Sequence, residues 1–286
     1  MTTTRSSNFA AAIRTTLLLG GLTGLLVVIG ALIGGPDTAL MFLIIAAVLN
    51  LGTYWFSDRI ALKMSRAQPM TEEEAPQIYE MVRDLTTRAK MPMPALYVIP
   101  QAQPNAFATG RNPERAAVAV TAGITKLLSP EELRGVIAHE LAHIRNRDTL
   151  IQSVAATIGG AISYLGYMLL WFGGDDESPL SLVASLVLVL VAPIAATIIQ
   201  LAISRQREYS ADATGAQISG NPESLATALL RLEEGSKAMP MQVNQATECL
   251  YIVKPFSGQG LAGLFSTHPP IEERVRRLRQ MRPALG

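Results

Sequence analysis

Charge is what this sequence has little of. Asp, Glu, Lys and Arg make up 16% of its 286 residues, and aromatic residues 6%. The charges present nearly cancel, to +1, which excludes a nucleic-acid binder that works through a basic surface. A single cysteine, Cys249, leaves no internal disulfide possible and agrees with a reducing compartment. Histidine is scarce too: there are three, and two of them stand four positions apart. No internal repeat or low-complexity tract is present.

The shortage of charge is concentrated. Thr15 to Pro36, Thr38 to Ser57, Thr149 to Gly174 and Ser178 to Ser204 contain no Asp, Glu, Lys or Arg. About 20 apolar residues cross a hydrocarbon core, so the pattern predicts four transmembrane helices. Gly34, Gly35, Pro36 and Asp37 form a turn between the first two. That predicts a helical hairpin rather than a cleaved signal peptide, whose apolar run is shorter. Arg5 and Arg14 precede the first helix, and Arg59, Lys63 and Arg66 follow the second. Arg145 and Arg147 precede the third, and Arg205 and Arg207 follow the fourth. The short connecting loops carry only Asp37 in one and Asp175, Asp176 and Glu177 in the other. Basic residues stay on the cytoplasmic side, which predicts both termini and both large polar segments there. With no ionisable residue inside the spans, a transporter path has nothing to line it.

The chain therefore divides into a hairpin over 1–57, a polar part over 58–148, a second hairpin over 149–204 and a polar part over 205–286. In the first polar part, Thr71 and Glu74 form a capping box ahead of a helix to about Ala89. Extended segments follow at Ala95–Ile99, Asn105–Thr109 and Ala116–Thr121. Ser129 and Glu132 cap a helix from Pro130 to about Arg145. The second polar part reads as helices over 208–219, 221–237 and 271–281, with a loop from Met239 to Thr267. The fold class expected is α+β and mostly helical, with a small antiparallel sheet beside helices and four membrane helices fused to it.

The chemical centre is His139-Glu-Leu-Ala-His143. On a helix, His139 and His143 lie about 40° apart around the axis, so both imidazoles reach one metal. Glu140 sits beside them, placed to take a proton from a metal-bound water. A catalytic zinc takes three protein ligands and keeps one open position. Asn146 and Thr149 stand where a third-histidine pattern would need glycine and histidine, so a carboxylate is required. Glu208 is the candidate, because it follows the fourth apolar stretch and is flanked by Ser210, Ala211, Ala213, Gly215 and Ala216, which permit close helix approach. Asp212, one turn on, is placed to accept a hydrogen bond from a ligand histidine. A solvated acidic face would fit the same spacing. His268, in Ser266-Thr-His-Pro-Pro270, and Arg274 are candidates to stabilise an oxyanion, although a turn histidine and a solvated basic helix with Arg276, Arg277 and Arg279 are the plainer readings.

Together, Asn105-Ala-Phe-Ala-Thr-Gly110, His139 to His143, Glu208-Tyr-Ser-Ala-Asp212, Tyr251 to Gly258 and Ser266 to Pro270 with Glu273-Arg274 carry a resemblance over nearly the whole chain. The sequence resembles the HtpX-type bacterial membrane zinc metalloproteases and, more distantly, the prenyl-protein endopeptidases. The resemblance implies a gluzincin-like cytoplasmic protease domain on the bacterial inner membrane. It implies one Zn2+ per chain held by His139, His143 and Glu208, with Glu140 as general base. It makes His268 and Arg274 substrate or transition-state contacts. It makes Asn105, Ala106, Phe107, Ala108 and Thr109 an edge strand along the substrate. The implied partners are unfolded or membrane protein substrates and the lipid bilayer. Cys249 departs from the pattern without touching the site. A narrow-specificity processing protease and a non-catalytic metal scaffold are the competing functions, though Glu140 has no role in the scaffold. Neither substrate nor oligomeric state is written in the residues.

Overall fold

A computed structural model describes residues 2–150, 152–154, 205–238, 252 and 269–281. The expected third and fourth membrane helices lie almost wholly outside the described residues, as do His268, Cys249 and the loop from Met239 to Gly263 apart from Ile252.

Helix α1 spans Thr2–Met64 with Pro36 inside it, yet it does not run straight. Asn50 Nδ2 donates to Thr23 Oγ1 at 2.7 Å, although 27 residues of straight helix would separate them by about 40 Å. Gly35 takes φ 73, a left-handed value natural for glycine, just before Pro36. The chain turns back there, and Gly30 packs on Phe42 and Thr38. The reversal falls at the Gly-Gly-Pro-Asp segment. The outer surface of α1 is apolar: Leu40, Ile44, Val48, Leu51 and Trp55 are exposed. Among the described residues one apolar window is long enough to cross a membrane, Gly35–Gly52, with a mean hydropathy of 1.6.

The sheet differs from expectation. Its strands are β1 (Gln68–Pro69), β2 (Ala95–Ile99), β3 (Ala106–Gly110) and β4 (Ala116–Thr121), in the order β1-β2-β4-β3. β1 pairs antiparallel with β2, and β3 antiparallel with β4, but β2 and β4 run parallel. The sheet is therefore mixed, not antiparallel. The cause lies in β4, Ala-Ala-Val-Ala-Val-Thr, which is buried along its whole length. Small and β-branched side chains on both faces suit an interior position, so β4 inserts between β2 and β3. β1, only two residues long and ending in Pro69, closes one edge, where a missing N–H costs no ladder bond. β3 forms the other edge.

Helices α1, α3 (Ala122–Leu127) and α4 (Pro130–Asn146) pack on this sheet, and α3 was absent from the sequence expectation. Helix α2 (Pro76–Ala89) follows the Thr71–Glu74 box, whose two reciprocal bonds form at 2.9 and 3.4 Å. Helix α4 starts in the complete Ser129–Glu132 capping box. Every α4 residue from Gly135 to Ile144 is buried, as a helix enclosed on all sides must be. It is packed by β3, by α5 (Arg205–Ser219) and by α6 (Pro222–Ala238). The last helix, α7 (Ile271–Gln280), buries Arg274, Val275 and Leu278 against α5 and α6.

Candidate metal centre

Helices α4 and α5 meet unusually closely. A β-carbon on Gly215 would stand 2.9 Å from both Cα and N of His139, so only glycine permits this approach. Of the small residues around Glu208, Gly215 serves the packing expected of it, while Ser210 is exposed and Ala213 half-buried. Ala211 and Ala216 are buried in the same contact. The approach carries Glu208 from α5 to the histidine face of α4.

His139, His143 and Glu208 converge, all buried, with one ligand atom from each within 4.8 Å of the others. The Nε2 atoms of the two histidines are 3.1 Å apart. Glu208 Oε1 is 3.4 Å from His143 Nε2, and Oε2 is 3.8 Å from His139 Nε2. Tetrahedral ligands on bonds near 2.0–2.1 Å stand about 3.3 Å apart, so the spacing fits a metal ion. The far sides of the rings are backed by carboxylates. His139 Nδ1 is 3.0 Å from Asp212 Oδ1, and His143 Nδ1 is 3.3 Å from Asp148 Oδ2. With each Nδ1 turned to a carboxylate, each Nε2 presents its lone pair to the same point. Two lone pairs facing one another at 3.1 Å favour a cation between them.

The charges agree. Glu140, Glu208, Asp212 and Asp148 are buried here, with Arg274 as the buried cation among them. Such an excess of negative charge is costly unless paired. Burial works against a proton on His143, but Glu208 and Asp148 outweigh it and raise the ring to about 9. His139 is pushed the other way, by burial first. A proton on His143 and a metal ion in the triad meet the same electrostatic need, and each excludes the other.

Glu140 follows His139 and turns toward β3, where the backbone N–H of Ala108 bonds its carboxylate. Burial raises that carboxyl to about 7, with His143 and Arg274 pulling it back down. Arg274 reaches in from α7. Its Nε and Nη2 bond the two oxygens of Asp212 at 2.9 and 2.7 Å, and Nη1 is 3.7 Å from Glu208 Oε2. The guanidinium forms one wall of the site. Asp212 is held down to about 2: burial would raise it, but Arg274 prevails.

β3 passes the site with one edge toward β4 and one away. Asn105 O accepts from Thr121 N at 2.9 Å, which sets Asn105, Phe107 and Thr109 to pair with β4 and turns the backbone of Ala106, Ala108 and Gly110 outward. All five residues of β3 are buried. Ile252 N donates to Ala106 O at 3.3 Å, and Thr149 Oγ1 donates to Gly110 O at 2.7 Å. Asp148, behind His143, was missed in the sequence. Its only signal was an acid five positions beyond the second histidine.

Comparison with known proteins agrees with this geometry. The peptidase family M48 model matches residues 72–282. The chain is 53% identical over 277 residues to the Protease HtpX homolog of Syntrophobacter fumaroxidans, covering 94% of this chain and 98% of that protein. It is 54% identical over 283 residues to the Protease HtpX homolog of Persephonella marina, covering 96% and 98%. Among solved structures, the crystal structure of S. mikatae Ste24p shares the fold at a TM-score of 0.50 and 17% identity, over 97% of this chain and 67% of that one. The chain belongs to peptidase family M48.

Proposed function

We propose that this member of peptidase family M48 is a membrane-integrated zinc endopeptidase that cleaves misfolded or damaged membrane proteins at the cytoplasmic face. The observation that carries the reading is the convergence of His139, His143 and Glu208 with Glu140 one residue from the first ligand. Two imidazoles and one carboxylate are the donor set of a catalytic zinc with an open position. The apolar outer face of α1 and the two further uncharged stretches support four spans. The basic residues at the span ends support cytoplasmic termini.

Zinc in the triad would supply a polarised water and a Lewis acid for a peptide carbonyl. Glu140 then takes the proton of the attacking water and delivers it to the departing amine. Burial pushes its pKa up from the ordinary carboxylate range, the direction that suits a group that must do both. Arg274 contributes positive charge on the side where the carbonyl oxygen gains negative charge, and His268 is assigned the same task. The substrate lies extended along the outward edge of Asn105–Thr109. Main-chain pairing there selects for unfolded segments rather than for particular side chains.

The test compares wild type with Glu140→Gln, both purified in detergent, for zinc content and casein digestion. One zinc per chain is expected in both proteins. Digestion by the variant should be slower by about 10²–10⁴-fold. Undiminished digestion by Glu140→Gln, or by wild type stripped of metal, overturns the reading.

A further inference from the structure

Each ligand histidine needs something to fix its ring, and the two solve this differently. His139 is backed by Asp212 from a neighbouring helix. His143 is backed by its own chain. Helix α4 ends at Asn146, and Arg147 adopts a left-handed conformation with φ 60. This reversal lets Asp148 N donate to His143 O at 2.9 Å and returns the Asp148 side chain to the His143 ring, Oδ2 to Nδ1 at 3.3 Å. The Asp148 side chain is only 8% exposed, so the contact is shielded from water. The segment it begins is anchored to β3 at two points. Thr149 Oγ1 donates to Gly110 O at 2.7 Å, and the Thr109 and Ser153 hydroxyls are 2.6 Å apart.

We propose that Asp148 is a positioning residue that fixes His143 with its proton on Nδ1 and Nε2 directed at the metal, acting from a segment pinned between the motif helix and the end of β3. The proposal rests on the metal-site reading above. A neutral imidazole carries its one proton on either nitrogen. Without an acceptor at Nδ1, a proton on Nε2 would occupy the metal's place. Asp148 removes that alternative and strengthens the ring as a donor, as carboxylates behind metal-bound histidines do. Its segment also opens the uncharged stretch from Thr149 to Gly174. The same residues thus set His143, the far end of β3 and the start of that stretch in one fixed relation.

The experiment measures zinc affinity by competition with a chromophoric chelator and records the visible spectrum of the cobalt-substituted protein. It uses the full chain in detergent and is independent of proteolysis. Asp148→Ala should bind zinc about 10- to 100-fold more weakly, with an altered cobalt spectrum. Asp148→Asn should be impaired at least as much, because its amide can donate to Nδ1 and hold the wrong tautomer. Asp148→Glu should recover part of the loss. Thr149→Val, which loses an anchor but keeps the carboxylate, should stay close to wild type. Wild-type affinity and spectrum in Asp148→Ala overturn the proposal, and if that protein does not fold, Asp148→Asn decides on the same two readouts. His143→Ala is the benchmark: undiminished zinc binding there would overturn the metal-site reading itself, and this proposal with it.

Discussion

Gly215 on α5 lies against the backbone of His139 on α4, so closely that a β-carbon would stand 2.9 Å from His139 Cα. Backbone cannot move aside as the end of a long side chain can. Gly215→Ala should push the helices apart, cost about 1–3 kcal/mol as overpacking does, and draw Glu208 away from the histidines. Gly135→Ala makes a comparable clash with Leu225 N, at 2.7 Å, but on the α6 side. Thermal unfolding should show both variants destabilised. Zinc titration should show Gly215→Ala the more impaired. Equal zinc affinity in the two would mean that this approach does not place Glu208.

Arg274 and Asp212 form a bidentate pair in which both side chains are buried. Removing either leaves the other as an uncompensated buried charge, costing about 3–5 kcal/mol. Asp212→Ala should therefore lose more than the support of His139. The double variant Asp212→Ala with Arg274→Met should be less destabilised than the sum of the singles, in a denaturation cycle. Strict additivity would contradict the pairing.

Much of the centre was legible because its signals are local. Two histidines at helical spacing, a capping box before them and small residues around Glu208 each act within a few positions. The reversal of α1 was legible for the same reason, from Gly34 to Asp37 between uncharged runs. What was not legible depends on contacts distant in sequence. The parallel pairing of β2 with β4 follows from which strand is most deeply buried, and alternation within each strand does not reveal that. Arg274 reads as one of several basic residues on an exposed helix, and only packing against α5 shows that it is the buried one. Asp148 lies just past the end of α4, and its role depends on Arg147 entering the left-handed region.

The raised pKa of Glu140 makes a prediction about pH. Its folded value, about 7, exceeds its ordinary value of 4.5, so the folded state holds the proton more tightly than the unfolded one. The resulting stabilisation is complete below the ordinary value and is lost as pH rises through about 7. The melting temperature of the metal-free protein should fall across that window, and Glu140→Gln should flatten the fall. In the zinc-loaded enzyme the added cation favours the carboxylate, so the acidic limb of kcat/KM should lie below about 7. A limb well above neutral would assign the base to another group.

The outward edge of β3 predicts a periodic requirement in the substrate. Backbone groups along a strand alternate in direction, so a peptide added to an edge uses every second amide for pairing. Ala106, Ala108 and Gly110 face that edge. Ile252 N already bonds Ala106 O at one end, and Thr149 bonds Gly110 O at the other, which leaves the carbonyl of Ala108, whose N–H bonds Glu140, at its centre. A peptide paired there would lie next to the base and across the triad. The test leaves the enzyme intact: a series of otherwise identical peptides, each N-methylated at a single amide around the cleaved bond. N-methylation removes one donor and adds bulk on the pairing side only where that amide points at β3. The rise in KM should alternate with a period of two residues, and kcat should change most for amides nearest the cleaved bond. A profile without alternation would mean that the peptide does not bind as an added strand, whatever residues hold the metal.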